Sequence, residues 1–297
     1  MRSSGLRSAR DYNRGLAPPV RWAHAAWAAI EPLLGPPVRW VLDPVRRPWA
    51  LPLAAAAILF PIIYKLDPAL NAWLTSVRLG GDVRREFEAL QQFGQGVSTV
   101  LIALVIWLQD PARRRRLADW GAALVVAMAT VQVGKLLVGR PRPKYDDPFY
   151  WLGPLGRYPV DRVVAGEPVG IRHAWEFWAG ISSDLASMPS SHTCYAAITA
   201  VAVGMMYPRL RWMMAALAAL VALGRLMTNA HWPTDVLVGA ALGLAIGGAA
   251  MRGRWGQRAL ERHAAKRRRA ADHPAPAPEA AADRMPALAA ASAPDRV

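Results

Sequence analysis

Three short clusters in this 297-residue sequence combine cations, hydroxyls and imidazoles at spacings that suit a phosphate group. The first is Lys135-Leu-Leu-Val-Gly-Arg-Pro-Arg142-Pro143. Lys135 and Arg142 are seven residues apart, which on a helix is two turns and nearly one face. Pro141 and Pro143 should end that helix, so Arg142 falls just past its last turn. Two cations aimed at one point match a phosphate, Arg as a bidentate fork and Lys as a point charge. A basic pair at the end of an apolar run also fits simple snorkelling to a membrane interface.

The second cluster is Ser187-Met-Pro-Ser190-Ser191-His192. Ser190 or Ser191 can cap a helix, whose first N–H groups are a ready anion site, and His192 would lie in the first turn. An ordinary serine cap with an incidental histidine accounts for the same residues. The third cluster is Gly224-Arg225-Leu-Met-Thr-Asn-Ala-His231-Trp-Pro-Thr-Asp235. Pro233 suits the first position of a helix, with His231 just outside it and Asp235 in its first turn. That spacing lets the carboxylate accept a bond from one imidazole nitrogen and leave the other free to attack. An acid in a first turn is also favoured by the helix dipole with no function attached.

The elements that must carry these clusters are apolar. Hydrophobic residues make up 54% of the chain and charged residues only 19%, with the apolar residues in long runs separated by Arg clusters. That pattern excludes a disordered chain and reads as an integral membrane protein. Six apolar segments lie at about 49–64, 93–109, 117–138, 192–207, 210–227 and 235–252. The fold expected is an all-α membrane bundle of six transmembrane helices, with the three clusters at the ends of spans three to six. Gly239, Gly243, Gly247 and Gly248 give the last span a small-residue face for close helix packing.

The formal net charge is +15, and only Lys65, Lys135, Lys144 and Lys266 of the 36 basic residues are lysines. Alternating six spans puts twice as many basic residues on the side of the N-terminus, Arg113–Arg116 and Arg209/Arg211 as on the other. That side should be cytoplasmic. Both termini are then inside, and all three polar clusters face out of the cytoplasm. Basic loops that fix orientation explain the charge without a nucleic-acid partner. Cys194 is the only cysteine, so no intrachain disulfide can form.

Residues 1–48 read as a basic cytoplasmic or interfacial segment, with an amphipathic stretch over 20–34. Residues 49–252 form the membrane domain, including a long extracytoplasmic loop over 144–186. Residues 253–297 read as a basic stretch and then an Ala/Pro-rich disordered tail. The long loop carries Tyr145, Phe149, Tyr150, Trp151, Trp175, Phe177 and Trp178, rings that favour headgroup depth and would shape a lipid access route.

Lys135-x6-Arg142-Pro143, Pro189-Ser190-Ser191-His192 and Arg225-x5-His231-x3-Asp235, in that order, resemble the three-part signature of the type 2 phosphatidic acid phosphatase superfamily. The resemblance covers roughly residues 49–252. Two positions depart from the family pattern: Ser191 stands where Gly is usual, and Gly224 where Ser is usual. The resemblance implies a metal-independent phosphatase that forms a covalent phosphohistidine, without cofactor. It makes His231 the nucleophile, Asp235 its orienting partner and His192 the general acid. Lys135, Arg142, Ser190, Ser191 and Arg225 would bind the phosphate.

The function so implied is dephosphorylation of a membrane lipid phosphate or diphosphate at the extracytoplasmic face of the inner membrane. Phosphatidate, phosphatidylglycerol phosphate, a polyprenyl diphosphate and a lipid A phosphate all remain as substrates. A phosphotransferase using the same site is one alternative, and a vanadate-dependent haloperoxidase shares the resemblance but is soluble. An anion-binding transporter or lipid-recruiting scaffold is the non-enzymatic alternative. Membrane lipids are the other expected partners, and the oligomeric state is not readable from the sequence.

Overall fold

A computed structural model describes residues 47–77, 80–159, 163–164, 167–168, 170–176 and 181–272. The described chain is predominantly helical: α1 (Ala50–Ser76), α2 (Gly81–Leu90), α3 (Gly96–Gln109), α4 (Arg114–Val138), α5 (Ser191–Met206), α6 (Arg211–Met227), α7 (Pro233–Gly253) and α8 (Trp255–Asp272). The chain divides into two compact units, residues 1–256 and 257–297.

Among the described residues, four helices are long and apolar enough to cross a membrane: α1, the stretch Pro111–Tyr145 around α4, Pro208–Met227 around α6, and α7. A fifth crossing is available if Gly81–Gly94 and Gly96–Gln109, which are bent by 62° at their junction, act as one broken span. At 16 residues α5 is apolar but short. The six apolar segments of the sequence therefore all become helix, with two corrections.

Segment one does not stop at Tyr64. Helix α1 runs 27 residues, through Lys65, Asp67 and Pro68, because Asp67 is buried rather than exposed to solvent. Segment two is bent: the 3-10 turn Gln91–Gly94 breaks it, and a Cβ on Gly94 would stand 2.5 Å from the His192 carbonyl oxygen. Glycine is what lets that turn press against the start of α5. The basic stretch after span six also takes a form the sequence reading did not give it, the helix α8. Residues 1–46, with the amphipathic stretch, and the tail beyond 272 lie outside the described residues.

The core sits where α4, α5 and α7 meet, around Trp120, Val131, Ile198, Val203, Met206 and Met251. Helix α5 has α4, α6 and α7 packed around it. Small residues permit this closeness. A Cβ on Gly239 would meet the Ser190 carbonyl oxygen at 2.5 Å, and one on Gly247 the Ile198 Cα at 3.3 Å. Outward-facing apolar side chains such as Ile58, Val97, Leu101 and Val125 stay exposed, as lipid-facing positions would.

Among its described residues, the segment between α4 and α5 has little regular structure. Two short antiparallel ladders form, Tyr158–Pro159 with Ile171–Arg172 and Val163–Val164 with Glu167–Pro168. Tyr145, Phe149, Tyr150, Trp151 and Trp175 are exposed there; Phe177 and Trp178 lie outside the described residues.

Candidate active site

Helix α4 ends at Gly139, whose left-handed φ of 57° lets its N–H reach the Lys135 carbonyl at 2.9 Å. A Cβ here would be strained and would also run into the Tyr158 hydroxyl, so glycine answers both demands. Past this turn the backbone laces the three clusters together. Arg142 N–H donates to the Asp184 carbonyl at 2.8 Å, and Ser187 N–H to the Arg140 carbonyl at 2.8 Å. Ser190 N–H donates to the Asp235 carbonyl at 3.0 Å, and the Trp232 indole N–H to the Pro141 carbonyl at 2.9 Å. Segments up to about ninety residues apart thus share one small volume.

His231 is buried in that volume, just before α7. Its Nδ1 lies 3.5 Å from Asp235 Oδ2 and 3.3 Å from Ser187 Oγ. The Ser187 hydroxyl donates to the same Asp235 oxygen, so it bridges carboxylate and ring. The Trp232 N–H donates to Asp235 Oδ2 at 2.9 Å, which ties the carboxylate to the start of its own helix. With Nδ1 turned to these partners, Nε2 is the nitrogen left for chemistry. Burial pushes the His231 imidazole below its ordinary value; Asp235 pulls the other way, and Arg225 and Arg142 add to the lowering. A ring kept neutral at physiological pH is a competent nucleophile.

His192 occupies the second position of α5, within electrostatic reach of Arg225, His231, Lys135 and Arg142. These five site residues are therefore brought together. Ser190 precedes α5 but does not cap it by its side chain; its hydroxyl, fully buried, pairs with Thr193 Oγ1 at 3.0 Å. The first turn of α5, uncapped by that side chain, keeps its N–H groups available to an anion. Ser191, half-buried, is the first residue of that turn.

Each guanidinium is held on one side and open on the other. Arg142 Nη1 meets Asp184 at 2.9 Å, and Arg225 Nη1 donates to Gln91 Oε1 at 2.8 Å. In both, Nε is buried and has no hydrogen-bond partner among the described residues. Buried donors of this kind are costly unless something accepts from them. Two open cationic donors beside two imidazoles are groups that an anion could accept from. Asp184 also carries Lys144; the Lys144 contact above all, with Arg142, holds its carboxyl below the usual carboxylate range.

Four participants were not visible in the motif spacing. Gln91, from the 3-10 turn, fills the space beside Gly224, where a Cβ would stand 2.9 Å from its Cγ. The absent side chain at 224 thus admits the residue that orients Arg225. Ser187 was inside the second cluster but had been given no role. Arg140 and Asp67 are fully buried and sit behind Asp235. The signal that might have found them is physical: an acid inside an apolar span is expensive in lipid and needs a partner.

An apolar groove of about 400 Å³ runs from Thr193, next to His192, between α5, α6 and α7 to Arg211. Its walls are mostly alanine, among them Ala197, Ala218, Ala222 and Ala240.

Residues 116–259 match the family model of the PAP2 superfamily. Among solved structures, the chain is similar to LpxE of Aquifex aeolicus, with 16% identity over 62% of this chain and 94% of that one and a TM-score of 0.42. It is also similar to a transmembrane PAP2-type phosphatidylglycerolphosphate phosphatase of Bacillus subtilis, with 15% identity over 72% and 93% of the two chains and a TM-score of 0.42. Comparison with curated proteins gives no match.

Proposed function

We propose, from the match of residues 116–259 to the PAP2 superfamily model, that the chain is a six-span membrane phosphatase of that superfamily, acting on a lipid phosphate or diphosphate at the extracytoplasmic face. Spans one to six are α1, the bent α2–α3 pair, α4, α5, α6 and α7. The basic residues flanking α4, α5 and α6 at their other ends favour the orientation with both termini in the cytoplasm.

The observation that carries the reading is the pair of unpartnered buried Nε donors, on Arg142 and Arg225, beside His192 and His231. Phosphoryl transfer asks for in-line positioning and neutralisation of equatorial oxygens. Arg142, Arg225, Lys135 and the first-turn N–H groups of α5 supply both. His231 Nε2 attacks phosphorus as the bond to the lipid oxygen breaks, and His192 gives its proton to that oxygen. Water then attacks the phosphohistidine, His192 takes the water proton, the N–P bond breaks and inorganic phosphate leaves. The groove beginning at Thr193 offers an apolar berth for the rest of a lipid whose phosphate lies at His231.

The test is purified protein in detergent with EDTA, offered phosphatidate, phosphatidylglycerol phosphate, a polyprenyl diphosphate and a lipid A phosphate. Wild type releases phosphate from at least one of them, and His231→Ala releases none. Release that survives the substitution, or that needs added Mg²⁺, overturns the proposal.

A further inference from the structure

Asp67 lies outside the three clusters and outside residues 116–259, near the far end of α1, yet it reaches the catalytic dyad through one intermediary. Arg140 Nη2 donates to Asp67 Oδ2 at 2.7 Å, and Arg140 Nη1 donates to Asp235 Oδ1 at 2.9 Å. All three side chains are fully buried. Thr234 closes the ring: its N–H donates to Asp67 Oδ1 at 3.0 Å, its hydroxyl donates to Asp67 Oδ2, and it accepts from Arg140 Nη1 at 2.7 Å. The remaining Arg140 donor, Nε, bonds the Pro148 carbonyl at 2.9 Å. The Tyr64 and Trp232 rings each lie 5.3 Å from the guanidinium carbon. A charge boxed in so completely has no route to substrate or solvent.

We propose that Asp67 and Arg140 are positioning residues for the His231–Asp235 dyad, with Asp67 sharing the guanidinium so that Asp235 keeps a net negative charge for the imidazole. This rests on the phosphohistidine reading above. Paired with Asp235 alone, Arg140 would cancel the carboxylate that must stabilise a ring turning cationic as it bonds phosphorus. With Asp67 present the trio carries one net negative charge, directed at His231. Lys135 on α4, Arg142 after it, Arg225 on α6 and His192 on α5 are the other titratable or charged groups around His231. Those four are basic, and Asp184 is engaged by Arg142 and Lys144, so the trio supplies the negative charge next to the imidazole.

The test uses full-length protein and the lipid panel above, with kcat, KM and the pH dependence of kcat/KM measured for each variant. Asp67→Asn lowers kcat about 10- to 100-fold, the range found when the outer-shell partner of a metal-bound histidine is removed. KM stays within about threefold, because Asp67 does not touch phosphate, and the acid limb moves to lower pH. The double variant Asp67→Asn/Arg140→Gln restores the net charge of the trio and returns the limb to its wild-type position. Thr234→Val lowers the melting temperature without moving the limb. If Asp67 is only a structural tie between α1 and α7, the limb stays fixed in Asp67→Asn and the double variant is worse than the single; either result overturns the proposal. Should Asp67→Asn alone not fold, a double variant whose limb differs from wild type overturns it equally. Failure of the underlying reading is distinct: wild type then releases no phosphate, or His231→Ala remains active.

Discussion

Gly239→Ala should damage catalysis as well as stability. The added Cβ would stand 2.5 Å from the Ser190 carbonyl oxygen, where ordinary contact begins near 3.4 Å. The obstacle is backbone, so the start of α7 must part from the start of α5 by about 1 Å to relieve it. Overpacking of this size costs roughly 1–3 kcal/mol of stability. The same displacement separates His231 and Asp235, carried at the head of α7, from His192 and the uncapped turn of α5. Misplacement of reacting groups by about 1 Å costs on the order of 100-fold in rate. Gly247→Ala is the control: two turns further along α7 its Cβ meets Ile198 and Val201 at 3.3 Å, a contact that neighbours relieve by a few tenths of an ångström. It should stay within about threefold of wild type and gain a little from helix propensity, up to ~1 kcal/mol. Thermal unfolding in detergent and phosphate release, measured on both variants, read the two effects separately. A Gly239→Ala enzyme with wild-type kcat, or a Gly247→Ala enzyme equally impaired, would refute the packing argument.

Two further outcomes test the electrostatics of the site. His231 is held below its ordinary value near 6.5, so it is neutral at pH 7, and activity is lost only as pH falls through the lowered value. The acid limb of kcat/KM therefore lies below pH 6.5, and Arg225→Gln, which removes a like charge, shifts it upward while weakening activity; a limb that stays put or moves down contradicts this. Gln91→Ala frees the Arg225 guanidinium from its 2.8 Å tether. A bond to a charged group is worth roughly 1.5–3 kcal/mol, so kcat/KM should fall between tenfold and a hundredfold, and an unchanged value would show that Arg225 is positioned by something else.

The apolar segments and the three clusters were legible because lipid imposes long runs and tolerates polar residues only at their ends. The course of α1 was not, and the reason is instructive. Lys65 and Asp67 look like an exit from the membrane, yet Asp67 is fully buried because a guanidinium 73 residues away meets it. Sequence shows the expense of that charge but not its partner. Gln91 was hidden for another reason: its role depends on the space left by Gly224, 133 positions on, and on a 62° bend that no periodicity announces. Ser190 carries the opposite lesson. Its spacing fitted a side-chain cap, but its hydroxyl pairs with Thr193 Oγ1 instead, which leaves the N–H groups of that turn uncapped.

Asp67, Gln91 and the bend all lie before residue 116, ahead of the stretch that matches the family model. The matched stretch brings the groups that would touch phosphate, whereas α1 and the α2–α3 turn bring groups that hold those in place: Asp67 behind Arg140 and Asp235, Gln91 behind Arg225. The division follows from charge. A site built for an anion gathers Lys135, Arg142 and Arg225 against two imidazoles, and such cations repel one another unless acceptors stand behind them. The acceptors cannot come from the face that binds phosphate without competing with it, so they come from segments on the outside of the cluster. Asp184 serves Arg142 in this way from the loop, Gln91 serves Arg225, and Asp67 serves Arg140. Substituting a supporting acceptor should therefore change how the phosphate-binding groups are held or charged before it changes whether the chain folds.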